Sequence, residues 1–434
     1  MMLQNLIFSL LLIAAAALFT RNIRQISQNI RLGKKFQLTD SKARRWRTMA
    51  RVAIGQSKMG SRPVSAVMHL FVYVGFIVIN IEMIEIMVDG IAGTHRSLLF
   101  TGAVYPVLIS VFELFALAVI LACVVFLVRR NVIRLRRFWN KEMTAWPRSD
   151  ANIILVTEIL LMSSILIMNA ADGILQSRGH EYYAASGTFL ISQLLQPLFT
   201  GLPESSLVAL ERSAWWFHII GVLIFLNYIP YSKHLHVFLS FPNVFYSKMG
   251  PLGKMDNMPS ITNEIKLMLN PNAEVPAPAD GGEIGQFGAK DAADLSRRQL
   301  MEAYACTECG RCTSACPANI TGKKLSPRKV LMDVRDRIEE VGKNLRRHGK
   351  DFSDQKSLFD RITDEELWAC TTCNACSMEC PVNIDPLGII LELRRYLVME
   401  KAAAPGELNA TFSNIENNGA PWQFSNEDRL KWAE

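Results

Sequence analysis

The stretch "CTECGRCTSACP", residues 306–317, recurs with changes as "CTTCNACSMECP" at 370–381. Eight of the nine cysteines of the 434-residue chain lie in these two runs, each spaced C-x2-C-x2-C-x3-C with proline next. Short turns bring the first three sulfurs of such a run to one side, where they can wrap one face of a [4Fe–4S] cubane, while the fourth cysteine is directed elsewhere and in two-cluster proteins serves the other cluster. The expected ligand sets are therefore Cys306, Cys309, Cys312 and Cys380 for one cluster, and Cys370, Cys373, Cys376 and Cys316 for the other. Structural zinc and disulfides are the alternatives, but zinc motifs rarely use this doubled spacing and disulfides do not suit a cytoplasmic domain. Cys123, alone within an apolar stretch, reads as a packing residue.

Outward from the cysteines the chain changes character. Five stretches, roughly 3–20, 64–88, 103–128, 152–171 and 214–238, are long and apolar enough to cross a bilayer core of about 30 Å as helices. The first resembles a signal peptide in length, yet nothing positive precedes it and a basic stretch follows. Between Arg21 and Arg62 stand twelve Lys or Arg and one acid, and 129–150 holds seven more, so both connections belong in the cytoplasm. Loops 89–102 and 172–213, with one and two basic residues, read as translocated. The N-terminus is expected outside and the cysteine domain inside the cytoplasmic membrane of a bacterium. The net charge of +7 is accounted for by the juxtamembrane loops, whose counter-charge is anionic lipid and not nucleic acid.

A Pro-, Gly- and Ala-rich connection, 241–294, leads to a soluble part with helix signals and no alternating strand pattern. Ser326 and Pro327 start a helix carrying Val330, Leu331, Val334, Ile338 and Val341 at helical spacing; Asp385 and Pro386 start another, and Thr363 with Glu366 forms a capping-box pair ahead of Cys370. The 53 residues between the cysteine runs are too many for a small β-rich ferredoxin. With its eight cysteines, 295–400 resembles the α-helical ferredoxin module of fumarate and succinate dehydrogenase iron–sulfur subunits and of heterodisulfide reductases. The resemblance implies two [4Fe–4S] clusters.

Histidines in the spans are candidate haem ligands. His69 lies six residues beyond Pro63, about 9 Å into the second span. His218 and His236 are eighteen residues apart in the fifth, five turns of a straight helix, so they would share a face near opposite membrane surfaces, with His234 pointing nearly the other way unless Pro230 bends the helix. His69 and His236 are both near the cytoplasmic surface and could hold one b-type haem between them. His95 and His180 fall in outer loops and read as solvated. Glu82, Glu85, Glu113 and Glu158 lie within spans, where ionisable groups mark proton or substrate pathways, although Glu82 and Glu85 could also reach the headgroups.

Five spans, a histidine early in the second and "YSKHLH" closing the fifth resemble the cytochrome b of the respiratory nitrate reductase gamma subunit and its heterodisulfide-reductase relatives over 1–240; Ser232, Lys233 and His236 match the family's last-span pattern. The resemblance implies an all-α, five-helix transmembrane haem b bundle followed by the cytoplasmic ferredoxin domain. Relatives with two haems have a second histidine where this chain has Ile79, so His218 lacks an evident partner; one haem b is expected and a second left open. The 401–434 tail, and 412–434 within it, resembles the connector that precedes a paired-cysteine domain in fused relatives.

The expected function is electron transfer between a membrane quinone, menaquinone first, haem b, the two clusters and a cytoplasmic partner: a separate paired-cysteine iron–sulfur subunit, or electron-transfer flavoprotein. No nucleophile, phosphate loop or hydride-carrier fingerprint is present in the sequence. The competing expectations are a membrane iron–sulfur accessory protein for metal-centre assembly and a plain anchor with structural clusters.

Overall fold

The computed structural model describes residues 2–38, 40–274 and 286–433. Among them helices account for the regular structure, and the one isolated bridge pairs Lys34 with Ser296. The membrane part is built from α1 (Met2–Arg31), a short basic α2 (Lys42–Met49), α3 (Pro63–Ala92), α4 (Tyr105–Leu127), α5 (Trp146–Ser177) and α6 (Glu204–Tyr228). All but α2 belong to segments long and apolar enough to span a bilayer. Proline in the first turn of α3, α4 and α5 starts each one where its missing N–H costs nothing. Gly93, at φ 75°, ends α3 in the left-handed conformation.

The fifth span differs from the expected 214–238. Helix α6 begins earlier and stops at Tyr228; a single turn over Ile229–Tyr231 follows, Ser232 is extended (φ −117°, ψ 161°), and α7 (His236–Tyr246) starts anew. Pro230 supplies no N–H to continue α6, so His218 and His236 do not lie on one straight helix. Helix α7 and α8 (Pro259–Leu269) occupy part of the 241–294 connection, of which 275–285 lies outside the described residues.

The soluble part contains α9 (Arg297–Ala305), α10 (Arg311–Ala315), α11 (Pro317–Ile320), α12 (Pro327–His348), α13 (Asp364–Trp368), α14 (Ala375–Glu379), α15 (Pro386–Met399) and α16 (Gly406–Asn418). Its core joins Leu300, Val330, Leu331, Val334, Ile338, Ile389, Ile390 and Leu393, the apolar faces of α9, α12 and α15. The caps read from the sequence are formed: Ser326 accepts from Lys329 N–H, Asp385 from Gly388 N–H, and Thr363 and Glu366 cap each other. The same core takes in Ile26 of α1, with Ile23 and Ile30 beside it. Asn29 donates to the Tyr304 hydroxyl at 2.9 Å, and Lys34 N–H donates to Leu295 at 2.9 Å. The cysteine-bearing part is thus packed onto the end of a long apolar helix and not merely tethered to it.

Candidate redox site

The two cysteine runs fold alike. Two residues after the first cysteine, Glu308 and Thr372 have φ of 54° and 57°; four residues after it, Gly310 and Asn374 have φ of 71° and 62° and open α10 and α14. Each fourth cysteine, Cys316 and Cys380, ends its short helix in extended conformation ahead of proline. Such loops turn backbone N–H groups toward the sulfurs: Glu308 N–H reaches Cys306 Sγ at 3.4 Å, and Ile384 N–H reaches Cys380 Sγ at 3.3 Å.

A cavity between α10, α14 and α15 is lined by Cys316 together with Cys370, Cys373 and Cys376, and otherwise by residues such as Pro317, Leu325 and Ile390. Of the other four, Cys309 and Cys380 lie close enough to Cys306 and Cys312 to act on their charge. Burial pushes the Cys306 thiol up to about 12 despite the N–H of Glu308, and Cys309 and Cys380 add to the rise. Burial likewise pushes Cys380 up to about 12, with Cys309 adding and Lys58 opposing. Thiolates so placed need compensating positive charge on the sulfurs, which the iron of a cluster brings, so the donor set fits one.

Two of the candidate histidines stand beside each other. The His69 and His236 ring centroids are 6.4 Å apart. Two imidazoles bonded to one metal at about 2.0–2.1 Å place their centroids roughly 6.3 Å apart. His69 Nδ1 lies 3.1 Å from Gln56 Oε1, and His236 Nδ1 lies 2.9 Å from the Lys233 carbonyl. Both neighbours are acceptors, so each Nδ1 carries the proton and each Nε2 keeps a free lone pair, the state a haem iron requires. The pair therefore has the ring spacing and the tautomer that two imidazoles on one metal would need.

His234 departs from expectation. Because Ser232 is extended, the helical register from His218 is lost, and the His234 ring packs 5.6 Å from His236 and 5.2 Å from Phe225, with its Nε2 buried and unpartnered. His218 is not brought to another histidine: its Nδ1 lies 3.1 Å from the Leu161 carbonyl and 3.3 Å from Ser164 Oγ. Ile79 is packed among Ala116, Val119 and Leu161. His95, expected in solvent, lies 3.5 Å from Asp172 Oδ2 with only 10% of its side chain exposed, beside Arg96, which pairs with the same carboxylate at 2.7 Å. His180 is partly exposed and 3.7 Å from Glu204. Glu82, Glu85 and Glu113 are buried among the long apolar helices. Leu98 N–H and Tyr105 donate to Glu85; Asn169 and the Ile191 and Ser192 N–H groups donate to Glu113.

Of the residues joining the histidines to the cysteines, the sequence singles out Lys233, through the last-span pattern, and not its partners. Lys233 Nζ donates to Glu308 at 2.6 Å and to the Pro147 carbonyl at 2.6 Å, and its N–H donates to Asp150 at 3.0 Å. Arg335 holds the other Glu308 oxygen at 2.7 Å. Burial alone would raise the Glu308 carboxyl, but Lys233 and Arg335 outweigh it and hold it below its ordinary value. In the 50–62 loop Lys58 donates to the Cys380 carbonyl at 3.3 Å and Arg62 to Ser314 at 3.2 Å, while Arg311 donates to the Lys58 carbonyl at 3.3 Å.

Residues 305–384 match the family model described as a 4Fe-4S dicluster domain. Along nearly its whole length, 98%, the chain is 28% identical to the "Probable iron-sulfur-binding oxidoreductase FadF" of Bacillus subtilis, covering 60% of that protein. It is 25% identical over 88% of its length to an "EtfAB:quinone oxidoreductase" of Syntrophomonas wolfei, covering 52% of it. Over 34% of the chain it is 32% identical to a "Probable membrane-anchored ferredoxin" of Chromohalobacter salexigens, covering 24% of that relative. Shorter matches run to heterodisulfide reductase subunits of Methanosarcina. The homologues are iron–sulfur oxidoreductases and electron-transfer subunits. The chain spans about half to three fifths of the two relatives it matches along most of its length. No solved structure matches it.

Proposed function

We propose that the chain is a membrane electron-transfer subunit passing electrons between a membrane quinone, menaquinone first, and a cytoplasmic redox partner. Haem b and two [4Fe–4S] clusters, when bound, supply the one-electron carriers. The chain's own residues hold and space them: His69 and His236 through Nε2 for haem iron; Cys306, Cys309, Cys312 and Cys380 for the membrane-side cluster; Cys316, Cys370, Cys373 and Cys376 for the other. His218 stays outside this haem assignment because its Nδ1 is bonded within the bundle and no histidine faces it. In this reading 1–240 is the membrane domain with its N-terminus outside, and 295–400 is the cytoplasmic ferredoxin module.

The observation that carries the proposal is the Lys233–Glu308 junction. It ties the turn that presents His236 to the loop that presents Cys306 and Cys309, so the histidine pair and the first cysteine set form one connected unit. The partner in this reading is a paired-cysteine iron–sulfur protein or electron-transfer flavoprotein, and the name of the Syntrophomonas relative supports the second. In purified protein a b-type band should accompany cluster EPR signals, and a menaquinol analogue should reduce both. The similarity to a membrane-anchored ferredoxin favours the accessory-protein reading as runner-up. That reading gains if quinol leaves intact cofactors oxidised although their potentials permit reduction.

A further inference from the structure

A groove follows α1 where it leaves the apolar layer. It is lined by Ile13, Ala17, Arg21, Arg24 and Gln28 of α1 and by Arg346 near the end of α12. Steps of four, four, three and four residues place the five α1 positions on one helix face. From Ile13 to Gln28 the face runs about 22 Å, apolar first and then basic. Among the described residues lining the groove there is no Asp or Glu.

Arg346 is held there by close packing. Asn29 is buried; it donates to Tyr304 and accepts from Arg346 Nη1 at 2.7 Å. One turn before Arg346, a Cβ on Gly342 would lie 2.0 Å from Asn29 Oδ1, so α12 approaches α1 as closely as it does only because glycine stands there. The third guanidinium is thus fixed relative to the two on α1 and is supplied by the soluble part.

We propose that this groove binds an anionic diacyl phospholipid, with its phosphate between Arg21, Arg24 and Arg346 and an acyl chain along Ile13 and Ala17. Three guanidiniums in a groove lining without an acid call for an anion, with Glu339 acting on Arg346 from outside the lining, and the apolar third of the groove calls for hydrocarbon. Free phosphate meets only the first demand, and a neutral quinone only the second. The lipid would join a membrane helix to the soluble part beside the contact through Asn29. This assignment does not depend on the redox proposal.

The test uses the full chain in phosphatidylcholine nanodiscs, with phosphatidylglycerol titrated in and lipid retention read by native mass spectrometry alongside thermal unfolding. One basic residue near an anionic lipid surface contributes roughly fivefold in affinity. R21Q/R24Q/R346Q should therefore weaken phosphatidylglycerol retention on the order of 100-fold and abolish its shift of Tm. R47Q/R51Q, exposed basic residues outside the groove, should lose clearly less retention and keep the Tm shift. Equal retention of phosphatidylcholine by the wild type, an equal Tm shift from inorganic phosphate, or an equal loss in R47Q/R51Q overturns the assignment. Should the triple variant fail to fold, R24Q alone should lose roughly fivefold, and wild-type retention in R24Q overturns it as well.

Discussion

Replacing Lys233 by methionine keeps much of the volume of the side chain and removes its charge. In the folded protein this leaves Glu308, 4% exposed, with Arg335 as its remaining cation at 2.7 Å, and strips Asp150 of an ammonium 3.7 Å away. Removing one partner of a buried ion pair costs about 3–5 kcal/mol. The retained Arg335 puts this case at the low end, about 3 kcal/mol, which is roughly a hundredfold in the equilibrium between docked and undocked loops. Native domains hold about 5–15 kcal/mol, so the chain should stay folded while the junction opens locally. Hydrogen exchange on detergent-solubilised protein should show faster exchange at 232–236 and 306–311, with the α12 core unchanged. Glu308→Gln should do the same, and K233M/E308Q should be less destabilised than the two single changes summed. A coupling energy below about 0.5 kcal/mol in that cycle would mean that the two side chains are merely adjacent, and the junction argument would fail.

His69→Ala should abolish the b-type absorption band and leave the cluster EPR signals, whereas His234→Ala should keep the band; a His69 variant with full haem content refutes the ligand pair. The intact protein should contain about eight non-haem irons, the sum of two cubanes. Cys316→Ser should disturb the cluster of the second run, so an EPR change confined to the first cluster would reverse the crossed assignment. Glu302, buried in α9, has its carboxyl pushed up to about 8, chiefly by burial, with Arg298 opposing and Asp385 adding. From about pH 4.3 to pH 8 the folded chain keeps a proton that the unfolded chain releases, so this group lowers stability as pH rises through that window. Glu302→Gln should remove that slope, gaining at most about 5 kcal/mol at pH 8.5 relative to pH 4. Parallel stability–pH curves for wild type and variant would refute the shift.

What the sequence determined by itself was local. Cysteine spacing is read over a dozen residues, span hydropathy over about twenty, and the caps at Ser326, Thr363 and Asp385 over three or four, and all are features of the fold. His69 and His236 could be singled out because each lies near the end of a span. The register beyond Tyr228 could not, because helical periodicity holds only while the hydrogen-bond ladder is unbroken, and Pro230 with extended Ser232 breaks it and brings His234 beside His236. Tertiary packing alone decided the rest. Glu308 and Lys233 are 75 residues apart, Lys58 and Cys380 are 322, and Asn29 and Arg346 are 317. A buried charge must find its partner wherever the fold delivers one, and no pattern of neighbours along the chain records which one that is.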